Sequence, residues 1–126
     1  MYKIILFLGL LFTPILTMAD NPNCSGPDNY AASMVFVYLK NAGLTTNEKI
    51  DWSKTKVTEI AHQQVGKDLY KQVHLVIYTE LSGKQFAVIA VNDASSEECS
   101  MDGPDLYLIS TYWPGDVSQK TKQYAH

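Results

Sequence analysis

The chain has 126 residues and a formal net charge of −3, from thirteen acidic and ten basic residues. All of the basic residues are lysine, and no arginine occurs. Because nucleic-acid-binding domains depend on a basic face and commonly on the two-pronged hydrogen bonding of arginine, this composition argues against a nucleic-acid partner. An acidic chain is also repelled by anionic lipid surfaces, so its more natural charged partner is a basic protein.

The first 19 residues have the pattern of a secretory signal. Lys3 is their only basic residue, residues 4–16 are largely apolar, and Thr17 and Ala19 are small residues at the positions that precede a cleavage site. The apolar run is shorter than the ~20 residues that a membrane span needs. We therefore expect a signal peptide at residues 1–19, a single domain at residues 20–126, and a soluble periplasmic or extracellular protein with no membrane span.

Cys24 and Cys99 are the only cysteines of the chain. In an oxidising compartment two such residues are expected to be joined, and two buried free thiols are the alternative. The chain-entropy model gives such a cross-link an upper value of about 4–5 kcal/mol. The sequence therefore predicts one disulfide that ties the start of the domain to its last third.

A long N-terminal helix is predicted, with Pro27 at its first position, Asp28 in its first turn and residues 30–42 as its body. Ser25 or Gly26 is the expected cap, Lys40 suits the last turn, and Gly43 is a left-handed stop. The helix is apolar nearly all round, so we expect it to be well covered. The residues expected on its buried face are Tyr30, Ala31, Met34, Val35, Tyr38 and Ala42.

Residues 55–65 are consistent with two structures. Val57, Ile60 and Val65 lie at helical spacing after Ser53, which could cap a second helix. The β-branched start of the segment equally favours a strand. The sequence leaves these alternatives open.

The remaining pattern predicts strands. Residues 69–81 and 84–92 are rich in β-branched and aromatic residues and flank a Ser82-Gly83 turn, which is typical of a hairpin, and residues 106–113 predict a last strand. The expected fold class is α+β: one long helix, or two, packed on an antiparallel sheet of three to four strands and stapled by Cys24–Cys99.

Both faces of the predicted hairpin are apolar. Residues 73–78 and 86–91 carry apolar or aromatic side chains at odd and even positions alike. One helix covers only one face of a sheet, so the other needs a second helix, loops or a second molecule. An exposed apolar face on a secreted domain marks an interaction surface.

No motif in the sequence names a reaction. A disulfide would remove the cysteine nucleophile, and His62 and His74 lack the close spacing of zinc ligands. The carboxylates that a glycosidase would need are dispersed, at Glu59, Glu80, Asp93, Asp102 and Asp105. We therefore expect a protein that is not an enzyme, with no cofactor and no metal site.

Two groups of residues are candidates for binding. The acidic group comprises Asp93, Glu97, Glu98 and Asp102. These residues could instead form a solvated loop, or a calcium loop without the regular spacing of such loops. The aromatic group comprises Tyr78, Tyr107, Tyr112 and Trp113. The leading hypothesis is an exported protein-binding module, such as an enzyme inhibitor or a toxin-immunity protein, with a basic partner. The alternative is a homodimeric envelope-structural or assembly protein. A small hydrolase that uses the dispersed acids and His74 is the third.

Overall fold

Four antiparallel strands form one sheet in the computed structural model, which describes residues 20–112. They are β1 (Lys56–Gly66), β2 (Leu69–Thr79), β3 (Gln85–Ala94) and β4 (Asp105–Tyr112), and they lie in chain order across the sheet. The turn between β2 and β3 contains Gly83 at φ 90°, a backbone conformation that favours glycine. The predicted hairpin is thus confirmed, and each strand pairs with the next along the chain.

The segment that the sequence left open is a strand. β1 pairs with β2 from Lys56 opposite Ile77 to Gly66 opposite Leu69, with Ile60 as an extra residue at a bulge. The alternative of a second α-helix is wrong, because the backbone groups of this segment are bonded across to β2. Between residues 20 and 112 there is one α-helix, together with a single 3-10 turn at Trp52–Lys54.

The helix α1 (Tyr30–Asn41) has 12 residues and is shorter than the long helix predicted. Its N-cap is Asn29 rather than Ser25 or Gly26, because the Asn29 N–H donates to the Gly26 carbonyl and closes a separate turn. The end of the helix is as predicted. Gly43 has φ 73°, and its N–H donates to the Lys40 carbonyl.

The buried side of α1 differs from the predicted one. Ala31, Ala32, Val35 and Leu39 are buried, whereas Tyr38 is 39% exposed. The small side chains of Ala31 and Ala32 occupy part of the buried side, and Tyr38 lies outside it. The expectation that the helix is covered all round is therefore wrong.

The core lies between α1 and one face of the sheet. It contains Val76 and Tyr78 of β2, Phe86, Val88 and Ala90 of β3, and Ile50 from the connection before β1. The Tyr78 hydroxyl donates to the Ala32 carbonyl at 2.7 Å, which joins the centre of the sheet to the helix. Phe36 and Trp52 pack edge to face at 4.8 Å on the same side.

Cys24 and Cys99 form the predicted disulfide, with their Cα atoms 5.8 Å apart. It joins the segment before α1 to the connection between β3 and β4. No helix in residues 20–112 has the length and apolar character needed to cross a membrane. The predicted signal peptide at residues 1–19 and Trp113 lie outside the described residues.

Replacing both cysteines by serine should lower the free energy of unfolding by a few kcal/mol, with about 4–5 kcal/mol as the upper value, because the bond closes a long loop in the unfolded chain. Urea denaturation followed by circular dichroism measures this difference. The wild-type chain under reducing conditions is the matched control and should unfold at the same urea concentration as the variant. Equal stability of the oxidised wild type and the variant would show that the bond does not restrict the unfolded chain.

Tyr78→Phe should cost about 1 kcal/mol at neutral pH, the usual worth of one hydrogen bond. Burial raises the pKa of Tyr78 from 10.0 to about 12, and the charge of Asp28 adds to the shift. A raised pKa contributes stability that is complete below pH 10 and is lost between pH 10 and about 12. Denaturant titrations across that pH range should show that the free energy of unfolding decreases in the wild type. The decrease should be smaller in Tyr78→Phe. Tyr107→Phe, at an exposed position, should behave as the wild type does.

Candidate binding surface

The sheet has one face that α1 does not cover, and we call it the open face. Its centre consists of three cross-strand pairs of β2 and β3: Val73 with Val91, Leu75 with Ile89, and Ile77 with Ala87. These six side chains are partly buried by one another, whereas the alternate residues of both strands are buried under α1 and the segment before it. Within residues 20–112, the helix and the 3-10 turn pack on that other face.

β1 and β4 extend the open face to both edges. Ala61 of β1 lies opposite Val73, and Tyr107 of β4 lies opposite Ile89. Tyr107 is 57% exposed, and Tyr112 lies opposite Gln85 near the other end of β4. Ile109 is the extra residue of a bulge in β4 and is 58% exposed. The open face is therefore apolar at its centre and aromatic along β4.

One end of the sheet is acidic, and we call it the acidic end. It lies where β2 begins and β3 ends, and it comprises Asp68, Asp93, Glu97, Glu98, Asp102 and Asp105, with Lys67 and Lys71 as its basic residues. Lys71 Nζ lies 3.0 Å from Asp93 Oδ1, and this hydrogen bond and charge raise the pKa of Lys71. Both residues belong to the open face.

Three of these carboxylates hold the structure together. Asp102 Oδ1 accepts the Asp93 N–H at 2.6 Å. Asp68 accepts the Ser96 hydroxyl at 2.6 Å and the Ser96 N–H at 3.1 Å. Together with the pair between Lys71 and Asp93, these bonds fix the connection between β3 and β4 against the rest of the sheet.

The same connection is tethered at several further points. Asn92 Nδ2 donates to the Cys99 carbonyl at 2.7 Å, and the Tyr30 hydroxyl donates to the Asp102 carbonyl at 3.2 Å. The N–H groups of Glu97 and Glu98 both lie 3.3 Å from Ser95 Oγ. Both glutamates are exposed, so two carboxylates lie in solvent on a segment whose backbone is fixed.

The predicted binding residues are thus separated by the structure. Glu97 and Glu98 are exposed, whereas Asp93 and Asp102 have the structural partners just described. Among the aromatic residues, Tyr107 and Tyr112 line the open face, Trp113 lies outside the described residues, and Tyr78 is 1% exposed. Tyr78 belongs to the core and has no place on a binding surface.

Sequence reasoning missed the contribution of Lys71 and Asp105. Their signal is their parity: Lys71 shares the odd positions of β2 with Val73 and Leu75, and Asp105 lies opposite Val91. Once the register of the hairpin is known, both residues fall on the open face. The apolar residues at odd positions had already indicated that this face needs a cover.

A buried polar cluster lies at the same end of the sheet, on the covered face. Gln72 Nε2 donates to Asn21 Oδ1 and to the Pro22 carbonyl, each at 2.8 Å, and Asn21 Nδ2 donates to Glu59 at 2.9 Å. His74 lies opposite Glu59 and has no exposed surface. Burial lowers the pKa of His74, and the charge of Glu59 opposes that shift.

Two of the groups that the third hypothesis, a hydrolase, would use lie in the interior. The His74 ring has no surface that a substrate could reach, and Glu80 is buried and accepts the Thr45 hydroxyl at 2.6 Å. Within residues 20–112, no three histidine, cysteine or acidic residues are grouped closely enough to hold a metal ion.

Comparison of the chain with protein-family models, with curated proteins and with solved structures gives no match. The open face and the acidic end are therefore the features of the molecule that point to a function.

The stability of the fold should decrease as the pH falls below the ordinary histidine value of 6.5. The lowered pKa of His74 keeps its ring neutral in the folded chain, while the unfolded chain takes up a proton there. The stability is therefore present above pH 6.5 and is lost as the pH drops toward the folded pKa. Denaturant titrations at several pH values between 7 and 5 give the free energy of unfolding at each pH. This free energy should fall less with decreasing pH in His74→Gln than in the wild type.

His62→Gln is the matched control for that measurement. His62 is exposed, with Nδ1 3.3 Å from Glu59 Oε2, so it tests the same carboxylate without the burial. Its free energy of unfolding should change with pH as that of the wild type does. If His74→Gln also leaves this pH dependence unchanged, protonation of His74 does not oppose folding.

Proposed function

We propose that this chain is an exported protein-binding module, such as an enzyme inhibitor or an immunity protein, that holds a basic partner protein at its acidic end. The observation that carries the proposal is the placement of Glu97 and Glu98, two exposed carboxylates on a segment fixed by a disulfide and several hydrogen bonds. The signal pattern of residues 1–19 supports the exported location.

The fixed backbone favours binding for an entropic reason. A loop that must become ordered on association loses conformational freedom at that moment, and this loss weakens the complex. Here the segment is held at Cys99, at Asp102 and at Ser96 before any partner arrives. Most of the ordering has taken place during folding, so an approaching partner meets carboxylates in a defined position.

The charge of the acidic end acts mainly on the rate of association. Exposed charges of one sign steer an oppositely charged partner toward the surface and contribute less to the final affinity. The proposed contact surface therefore consists of Glu97 and Glu98 on their fixed segment.

The test begins with the native secreted or envelope fraction, from which the wild-type protein is used to isolate binding partners. Each partner is then purified, and its association rate is measured by surface plasmon resonance at low and high salt. Glu97→Gln/Glu98→Gln should slow association several-fold at low salt. The difference should shrink at high salt, because exposed charges are screened within about 8–10 Å.

The matched control is Glu48→Gln, compared with the single variant Glu97→Gln. Glu48 is also exposed, but it lies at the opposite end of β2 from the acidic end. The carbonyl of the next residue, Lys49, accepts the Leu81 N–H just beyond that end of β2. It should leave the association rate unchanged. A partner whose association rate is the same for the wild type and for Glu97→Gln/Glu98→Gln would show that the acidic end is a solvated connection.

A further inference from the structure

We propose that the open face pairs two copies of this chain, face to face, about a two-fold axis parallel to the strands. β2 of one protomer then lies over β3 of its partner. This pairing is independent of the proposed function, because it involves the opposite side of the sheet from the disulfide and requires no other protein.

The apolar centre of the open face makes a second copy of the chain suitable as its cover. Val73, Leu75 and Ile77 of β2 face Val91, Ile89 and Ala87 of the partner subunit's β3 in this arrangement, because the same residues are opposite each other in the register of one sheet. Two sheets packed this way form an apolar layer about 10 Å thick with their strands nearly aligned. Such a layer removes from water the side chains that α1 leaves uncovered.

The open face is about as large as the smallest biological interfaces. Four strands about 4.8 Å apart, with about eight paired residues at 3.3 Å each, outline a face of roughly 500 Å². Two such faces give about 1,000 Å² before the relief of the side chains is counted, which reaches the area expected of a biological interface. The whole of the open face is required to reach this area, which favours pairing of the two sheets over contact at a single edge.

One charged pair of the open face, Lys71 and Asp93, is complementary to itself about this axis. Lys71 and Asp93 are opposite each other in the register of one sheet, with Nζ and Oδ1 3.0 Å apart. A two-fold axis parallel to the strands places Lys71 over Asp93 of the partner subunit, and Asp93 over Lys71 of the partner subunit. The pair within each protomer then becomes a network of four alternating charges at one rim of the interface.

An exchange of charges tests this arrangement. Lys71→Glu places negative charges opposite each other across the axis, and Asp93→Lys places positive charges opposite each other, so each variant alone should weaken the dimer at least about tenfold. A mixture of the two variants brings every negative charge opposite a positive one and should restore the dimer. Sedimentation velocity from 1 to 100 µM of the full chain, alone and mixed, measures all three states.

Two further variants separate loss of pairing from loss of folding. Leu75→Glu, at the centre of the open face, should give a folded monomer, as judged by circular dichroism. Val37→Glu, on the exposed side of α1, should leave the dimer intact. Restored pairing in the mixture supports the proposal, since misfolded chains would not recover on mixing.

Three results would overturn the proposal. A wild-type chain that remains monomeric at 100 µM excludes the pairing. A dimer that survives Leu75→Glu uses another surface. A chain ending at residue 112 that dimerises while the full chain does not would show that residues 113–126 occupy the open face instead.

Discussion

The organisation of this protein depends on one constraint: within residues 20–112, a sheet that is apolar on both faces has a single short helix to cover it. α1 is 12 residues long and is centred on β2 and β3, with two adjacent alanines on its buried side. Its packing gives a core around Tyr78 and Phe86, but it uses the helix on one face only. The other face of the sheet is left for a second molecule to cover.

The covered face is itself divided into two parts. Near Tyr78 and Val88 the cover is α1, and the contact is apolar. Toward the start of β2 the cover is the segment before the helix, and the contact is polar, between Asn21, Gln72 and Glu59. The disulfide holds that segment in place, because the hydrogen bonds of a short irregular chain would not by themselves offset the entropy lost on fixing it. The same bond fixes the connection that carries Glu97 and Glu98, so the cover of one face and the position of the acidic end have a common cause.

The sequence was sufficient to predict the elements in which a local signal decides the structure. Ser82-Gly83 between two β-rich segments predicted the hairpin, and Gly43 predicted the end of the helix. The start of α1 was missed because three capping residues, Ser25, Gly26 and Asn29, lie close together, and the bond between Asn29 and Gly26 that selects among them is visible only in the folded chain. For residues 55–65, hydrogen bonding to β2 decided between two comparable local preferences.

The candidate site was predictable only in part, for a related reason. The acidic group was recognised as a group, but four carboxylates near one another in sequence gave no indication of which would have structural partners. Register with β2 places Asp93 beside Lys71, and the fold of the connection turns Asp102 toward the Asp93 N–H. Tyr78 was misplaced because it lies on a strand whose two faces are both apolar, so its parity did not show which face α1 would cover.

The two proposed contacts should respond to salt to different extents, and this follows from the direction of the axis. A two-fold axis parallel to the strands brings the acidic ends of both protomers to the same end of the dimer, where their like charges repel across the rim formed by Lys71 and Asp93. Salt screens that repulsion together with the attraction between Lys71 and Asp93 of the partner subunit, and it leaves the apolar layer intact, so the dimer should change little as ionic strength rises. Attraction of a basic partner to Glu97 and Glu98 is screened by the same ions and should weaken. A pair of adjacent acidic ends would also present twice the charge of one, so a partner with two basic surfaces would gain from binding both at once.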